Sequence, residues 1–182
     1  KNGLMLRAFA RGEDTSPVQH MDAKAAVKSV GNSTTTPRDL VDDTDVKVVF
    51  TVLAESVARR MREQGLQGRT VCISLRDKNL QTFTRRHKLA AATDVSTEIL
   101  QAAMALFCAN YRWGAPLRSI GLSVTDFELE PCVQFDLAHT QEQREQAAKL
   151  ERTVDDLKRR FGNYCIQRAS LLGDTGLSRF NP

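Results

Sequence analysis

The segment Gly68–Lys88, GRTVCISLRDKNLQTFTRRHK, decides the fold. Val71, Ile73 and Leu75 alternate with Thr70, Cys72, Ser74 and Arg76, the period-two pattern of a strand with one apolar and one polar face. Asp77–Asn79 supplies a turn, and Thr82, Thr84, Arg86 and Lys88 then share one face of a second strand. The other face of that strand, Phe83, Arg85, His87 and Leu89, mixes apolar and charged groups, which predicts a bulge or twist. The hairpin therefore has an apolar side that must be covered and a small, polar, cationic side that need not be.

Helical periods flank the hairpin. Val46, Val49, Leu53, Val57 and Met61 recur at helical spacing across Val46–Gln64, with Thr44 or Asp45 placed to cap the start and Gly65 to end it. Asp94 is placed to cap a second helix that buries Ile99, Ala103, Leu106 and Phe107 and ends near Asn110. Two further strand-like segments, KSVGNS at Lys28–Ser33 and PLRSIGLS at Pro116–Ser123, complete the set. Beyond Pro116, Arg118, Ile120, Leu122 and Val124 alternate with Ser119, Gly121, Ser123 and Thr125. The order strand, helix, strand, strand, helix, strand predicts an α+β fold: a βαββαβ split-βαβ, ferredoxin-like sandwich, a four-stranded sheet with two helices on one face.

Extensions surround this unit. Leu4, Met5, Leu6 and Phe9 ahead of Gly12 read as the end of a helix, and Asp14–Ala23, with Pro17 and no period, as a linker. After Pro131, Thr140 and Gln143 form a capping box, and Ala147, Leu150, Val154, Leu157 and Phe161 step by three and four before Gly162. That stripe must pack on something. The sandwich itself is the simplest partner; a missing domain or a second copy of the chain are the alternatives.

The 182 residues suit one domain with extensions. Lys and Arg number 26 against 22 Asp and Glu; the net +4 is too mild to name an anionic partner, so placement must carry that argument. No apolar run reaches the length of a membrane span, and the N-terminus has no signal pattern. Cys72, Cys108, Cys132 and Cys165 are scattered without a CxxC pair. They point to reduced thiols and a cytoplasmic setting, with Cys72 and Cys108 as small core residues. His20, His87 and His139 are equally far apart, so no metal site is expected.

No catalytic set is evident. Asp42, Asp43 and Asp45 precede a helix, where carboxylates favour its dipole, and Asp155 and Asp156 lie on a charged helix face. Neither group supplies carboxylates converging on Mg2+. No Gly-rich phosphate loop, HExxH or nucleophile elbow occurs. The positive signal is the open sheet face. Small side chains at Ser29, Gly31, Ser119 and Gly121 would let a phosphate approach the backbone. Hydroxyls of Thr82 and Thr84 add donors, and Lys28, Arg85, Arg86, Lys88 and Arg118 add charge. A solvated strand explains such residues once; their recurrence on three segments favours a phosphate-meeting surface. Only Phe83 offers an aromatic ring on these strands, so base stacking is disfavoured against backbone tracking. The rival reading is a ferredoxin-like protein-interaction or regulatory module whose sheet or third helix binds a partner chain.

At these residues a resemblance becomes specific. KSVGNS, the helix ending at GLQGRTVCISLRD, the strand LQTFTRRHKL and the closing PLRSIGLSVTDF resemble, in order and separation, the little finger domain of Y-family (UmuC/DinB-like) translesion DNA polymerases over roughly Ala26–Phe127. Lys1–Val18 resembles the end of that family's thumb domain, and Thr153–Ala169 the C-terminal region of its bacterial members. The resemblance implies a thumb end and linker at 1–23, a little finger at 24–128 and a C-terminal extension at 129–182. It implies that the sheet lies along primer-template DNA and grips its backbone during lesion bypass and repair. Ser29, Gly31, Thr82, Thr84, Arg85, Arg86, Arg118, Ser119 and Gly121 would then meet phosphates. It also places the catalytic carboxylates and their Mg2+ in a palm domain preceding Lys1, leaving this chain no cofactor or catalytic residue of its own. Gln134, Phe135 and Leu137 resemble the family's sliding-clamp peptide, from which Ala138 departs by lacking the final aromatic. The alternative for that stretch is a linker strand that packs Phe135 and Leu137 at home.

Overall fold

The computed structural model describes residues 2–18, 20, 21, 26–128 and 140–180, without the side chains of 140 and 141. Its elements are α1 (Asn2–Ala10), β1 (Ser29–Leu40), α2 (Asp43–Glu63), β2 (Gln67–Asp77), β3 (Thr82–Thr93), α3 (Ser96–Asn110), β4 (Leu117–Glu128), α4 (Thr140–Phe161), a 3-10 turn at Ala169–Leu171 and α5 (Thr175–Ser178). The expected βαββαβ order is present within 29–128. The four strands form one antiparallel sheet in the order β1-β4-β2-β3. Each βαβ unit is thus split by a strand of the other, with β2 and β4 central and β1 and β3 at the edges.

Helices α2 and α3 cover one face. Val71, Ile73 and Leu75 of β2 and Ile120, Leu122 and Val124 of β4 are buried against Val49, Leu53, Val57, Ile99 and Phe107. The bulge expected in the hairpin lies where the register shifts between Gly68 and Thr70. It lets β3 continue to Thr93, beyond the Lys88 limit of the quoted strand segment.

The caps differ from those the sequence suggests. Asp42, not Thr44 or Asp45, caps α2 by accepting from the Asp45 N–H at 2.8 Å. Asp45 turns inward instead to Arg38, with its two carboxylate oxygens 2.6 and 2.7 Å from the guanidinium. Asp94 does not cap α3 either. The N-cap is Val95, which offers no side-chain acceptor, and the Ser96 N–H donates to both Glu151 carboxylate oxygens at 3.0 Å. A carboxylate from α4 therefore satisfies the orphan donors of a helix far away in sequence.

That exchange shows how α4 is seated. Its charged row, Arg144, Glu151, Asp155 and Lys158, sits one position around the helix from the apolar stripe, and the charged row faces the sandwich. Arg62, its side chain only 7% exposed, donates to Asp155 at 2.7 Å, to Glu151 and to the Asp94 carbonyl at 2.6 Å. Lys158 and Arg168 share Glu55 at 3.0 and 2.7 Å, and Arg144 holds Glu98 at 2.6 Å. Burial opposes the Arg62 charge, but the bond to Asp155 and the fields of Glu151, Asp155 and Asp94 outweigh it and raise its pKa. The apolar stripe is only half covered, since Leu150 and Phe161 remain 65% and 64% exposed. Of the expected capping box, Thr140 lies outside the described side chains.

The chain end returns to the core. Leu177 is 1% exposed and joins the main apolar cluster. Asp174 caps α5 through the Leu177 N–H and meets Arg38 at 2.8 Å, so one guanidinium ties β1, α2 and α5 together. The cysteine expectation is corrected: Cys108 is exposed and Cys72 is only partly buried. The phase of α3 turns Cys108 outward beside the buried Phe107, and the β2 pleat points Cys72 away from the helices.

Two outcomes are expected. Arg62→Ala leaves Glu151 and Asp155 half-buried without their cation, a loss on the order of 3–5 kcal/mol. Urea unfolding reads it, and α4 becomes the first site of limited proteolysis. The second concerns acid. Hydrogen bonds from Arg38 lower the pKa of both Asp45 and Asp174. A lowered carboxylate contributes stability that is full above its unfolded pKa and is lost as pH falls through its folded pKa. Thermal stability therefore declines from about pH 4 downward, and Asp45→Asn is less stable at neutral pH but flatter across that acid window.

Candidate nucleic-acid interface

The face away from the helices is built from four cross-strand rows. Reading β1, β4, β2 and β3 in turn, they are Ser29–Thr125–Thr70–Lys88, Gly31–Ser123–Cys72–Arg86, Ser33–Gly121–Ser74–Thr84 and Thr35–Ser119–Arg76–Thr82. No position in these rows carries a large apolar or aromatic side chain. Period two alone produces this: the residues that alternate with the buried Val, Ile and Leu of β2 and β4 must point the other way.

Close strand approach depends on the small residues. A Cβ on Gly31 would lie 2.6 Å from the Ser123 Cβ, and one on Gly121 would lie 3.2 Å from the Ser33 Cβ. The surface is consequently low over Gly31, Ser123, Gly121 and Ser74; it rises at Arg76 on β2 and at edge strand β3, where Arg86 and Lys88 are exposed. Among the described residues neither has a carboxylate partner, and Arg76 spends one N–H on the Thr82 hydroxyl at 3.1 Å.

Of the residues expected to meet phosphate, Ser29, Gly31, Thr82, Thr84, Arg86, Lys88, Ser119 and Gly121 share this face. Lys28 is exposed just before Ser29, at the end of the first row. Arg85 does not belong. It pairs with Ile73 across the ladder and so points to the helix side, where it donates to the Asn110 amide oxygen at 3.2 Å and lies 5.4 Å from the Phe83 ring centre. Phe83 is on that side too, stacked on Tyr111 at 5.7 Å. Arg118 sits at a register shift and pairs with Asp39 at 3.4 Å. The mixed side of β3 is therefore the edge of the helix layer, closed by an aromatic cluster rather than by aliphatic residues.

The donors differ in kind from those the sequence suggests. Gly121 and Ser119 lie in a central strand whose ladders occupy its backbone N–H groups on both sides. The Ser119 hydroxyl already donates to the Thr34 carbonyl at 2.9 Å. These residues supply close approach, not donation. Free donors come from the Thr82 and Thr84 side chains and from the cations. Arg76 is a member that the sequence-derived set lacks, although it follows Ser74 in strict alternation. Asp126 is another: its φ of 56° breaks the strand pattern, and its carboxylate accepts from the Thr70 hydroxyl.

Gln134, Phe135 and Leu137 lie outside the described residues. Among the described residues no group of three or more His, Cys, Asp or Glu side chains could hold a metal ion, and no helix is long and apolar enough to cross a membrane.

Residues 27–137 match the model of the impB/mucB/samB family C-terminal domain. The chain is 42% identical to DNA polymerase IV of Acetivibrio thermocellus over 180 residues, covering 98% of this chain and 45% of that protein. It is 37% identical to DNA polymerase IV of Moorella thermoacetica, covering 96% of this chain and 43% of that protein. With DNA polymerase IV 2 of Bacillus subtilis the identity is 32%, covering 96% and 42%. The chain thus spans less than half the length of these curated relatives. A solved complex of a beta-clamp processivity factor and the little finger domain of PolIV is similar at a TM-score of 0.47 and 20% identity, over 60% of this chain and 97% of that one. The chain therefore belongs to the impB/mucB/samB family, the Y-family polymerases that its strands resemble, and carries that family's C-terminal domain.

Proposed function

We propose that this chain is the DNA-gripping part of a polymerase IV-type translesion enzyme. The observation that carries the reading is the set of four rows, small and polar on β1 and β4, with Arg76 on β2 and Arg86 and Lys88 on β3 supplying the charge. A sugar-phosphate backbone can lie close over Gly31, Ser123, Gly121 and Ser74 because nothing tall stands there. Arg76, Arg86 and Lys88 neutralise phosphates, and the Thr82 and Thr84 hydroxyls donate to them. No aromatic or amide side chain on this face reads a base edge, so the grip is indifferent to sequence. That property suits an enzyme that copies past damaged bases.

The remaining assignments follow the same reading. Residues 1–23 are the end of a thumb domain and its linker, 24–128 the little finger and 129–182 an extension. Polymerisation, with its Mg2+, belongs to a palm domain elsewhere in the protein. Gln134, Phe135 and Leu137 form a weak contact for the replication sliding clamp.

DNA titrations test the grip. Affinity for primer-template DNA falls with salt at a log-log slope of about −0.9 per neutralised phosphate. Arg86→Ala with Lys88→Ala makes that slope shallower by about 2. Arg85→Ala, on the opposite face, leaves it unchanged. An unaltered slope in the Arg86 and Lys88 variant sinks the platform. For the clamp, Ala138→Phe tightens binding and Phe135→Ala weakens it, as read by titration with a bacterial clamp; no response to either removes that partner.

A further inference from the structure

We infer that a second nucleic-acid contact, for single-stranded DNA, lies at the C-terminal end of α4, where Phe161 and Tyr164 offer base-stacking faces among arginines. Both rings are exposed, at 64% and 51%. The Arg160 guanidinium lies 5.3 Å from the centre of the Phe161 ring, and that of Arg179 lies 6.0 Å from Tyr164. Gly162, at φ +94°, turns the chain between the two rings. Arg59 reaches the same turn by donating to the Asn163 amide oxygen at 3.3 Å.

The charges here are available. Among the described residues, Arg160 and Arg179 pair with no carboxylate, and Arg59 meets only Glu63 at 4.0 Å. By contrast, the cations that seat α4, Arg62, Arg144, Lys158 and Arg168, are all bound to carboxylates. Exposed rings with unpaired arginines are the combination that holds unstacked bases and their phosphates together. A peptide partner would have to supply carboxylates to the arginines and apolar groups to the rings separately.

Placement supports one continuous path. Arg60, beside Arg59 on α2, donates to the Gly31 carbonyl of edge strand β1 at 3.0 Å. Lys28 and Ser29 stand at the same end of that strand. A single strand leaving a duplex on the open face can therefore round the β1 edge, over Lys28, Arg60 and Arg59, to reach Tyr164 and Phe161. The two surfaces divide the chemistry: the open face has cations and no rings, as a closed duplex requires, and the α4 end has both. The inference rests on the DNA-gripping reading of the sheet, because the strand it binds extends from the duplex held there.

Fluorescence anisotropy with three labelled probes tests it: a blunt duplex, the same duplex with a thymidine overhang, and an oligothymidine about 20 nucleotides long. Wild type binds the overhang duplex more tightly than the blunt one. Phe161→Ala with Tyr164→Ala weakens oligothymidine binding by at least about fivefold, abolishes the overhang advantage and leaves the blunt duplex unchanged. Phe161→Trp with Tyr164→Ala, which keeps one stacking face, retains part of the oligothymidine binding that the double alanine variant loses. Arg160→Gln with Arg179→Gln, which leaves both rings in place, also weakens oligothymidine. Arg86→Ala with Lys88→Ala does the converse, weakening the blunt duplex more than oligothymidine. Oligothymidine binding that is indifferent to both the ring and the arginine variants overturns the inference, as does an equal loss on all three probes. Blunt-duplex binding that ignores Arg86 and Lys88 while the ring variant still loses oligothymidine overturns the sheet reading alone.

Discussion

Burial of Val71, Ile73 and Leu75 beneath the helices determines where Thr70, Cys72, Ser74 and Arg76 must go. A strand has two faces, and a single helix layer can cover only one of them. Because β2 is central, its pleat is transmitted through the ladders to β4 and β3, and from β4 to β1. A one-residue slip of β3 against β2 would turn Arg86 and Lys88 toward the helix side and Phe83 and Arg85 toward the open face. The register that fills the core is thus the same register that assembles the polar face, and stability and surface chemistry are not separable.

The second organising interaction is electrostatic. Arg62 is nearly buried, and an arginine in that position is tolerable only if carboxylates come to it. Glu151 and Asp155 do so from α4, and Glu151 then doubles as the cap that α3 lacks. A helix seated by charge keeps its apolar stripe free in part. This is why Leu150 and Phe161 remain in water although their spacing is that of a core helix. A groove of about 280 Å3 persists between α2, α4 and the returning chain end, rimmed by Arg59, Asn163 and Tyr164. The same returning segment inserts Leu177 into the core and is tied by Asp174 to Arg38, so residues beyond α4 are part of the folded unit.

The two basic surfaces contrast in their partners. On the open face small residues let a rigid, regular backbone lie close over Gly31, Ser123, Gly121 and Ser74, and the charge stands beside them at Arg76, Arg86 and Lys88. At the α4 terminus the cations rest on rings. Between them, Arg38, Arg62, Arg144, Lys158 and Arg168 are already neutralised by carboxylates of neighbouring elements. A mild net charge of +4 is therefore an average over surfaces of very different character.

Much of this was legible from the residues in order. The strand and helix periods determine the βαββαβ arrangement, and alternation assigns Ser29, Gly31, Thr82, Thr84, Arg86, Lys88, Ser119 and Gly121 to one side, because a pleat is a local property of the backbone. What needed tertiary structure were the matters settled by partners distant in sequence. The mixed side of β3 was ambiguous until Tyr111 arrived to stack on Phe83, which explains why Arg85 looked like a member of the open face. Arg118 was diverted by a register shift and by Asp39. Caps were misplaced because Asp45 was drawn to Arg38, and Glu151, 55 residues on from Ser96, took the place expected of Asp94. The helical stripe of α4 marked an apolar direction but could not reveal that an adjacent charged row faces the sandwich. Local periodicity decides which way a side chain points from its own element; only the packed fold decides what it finds there.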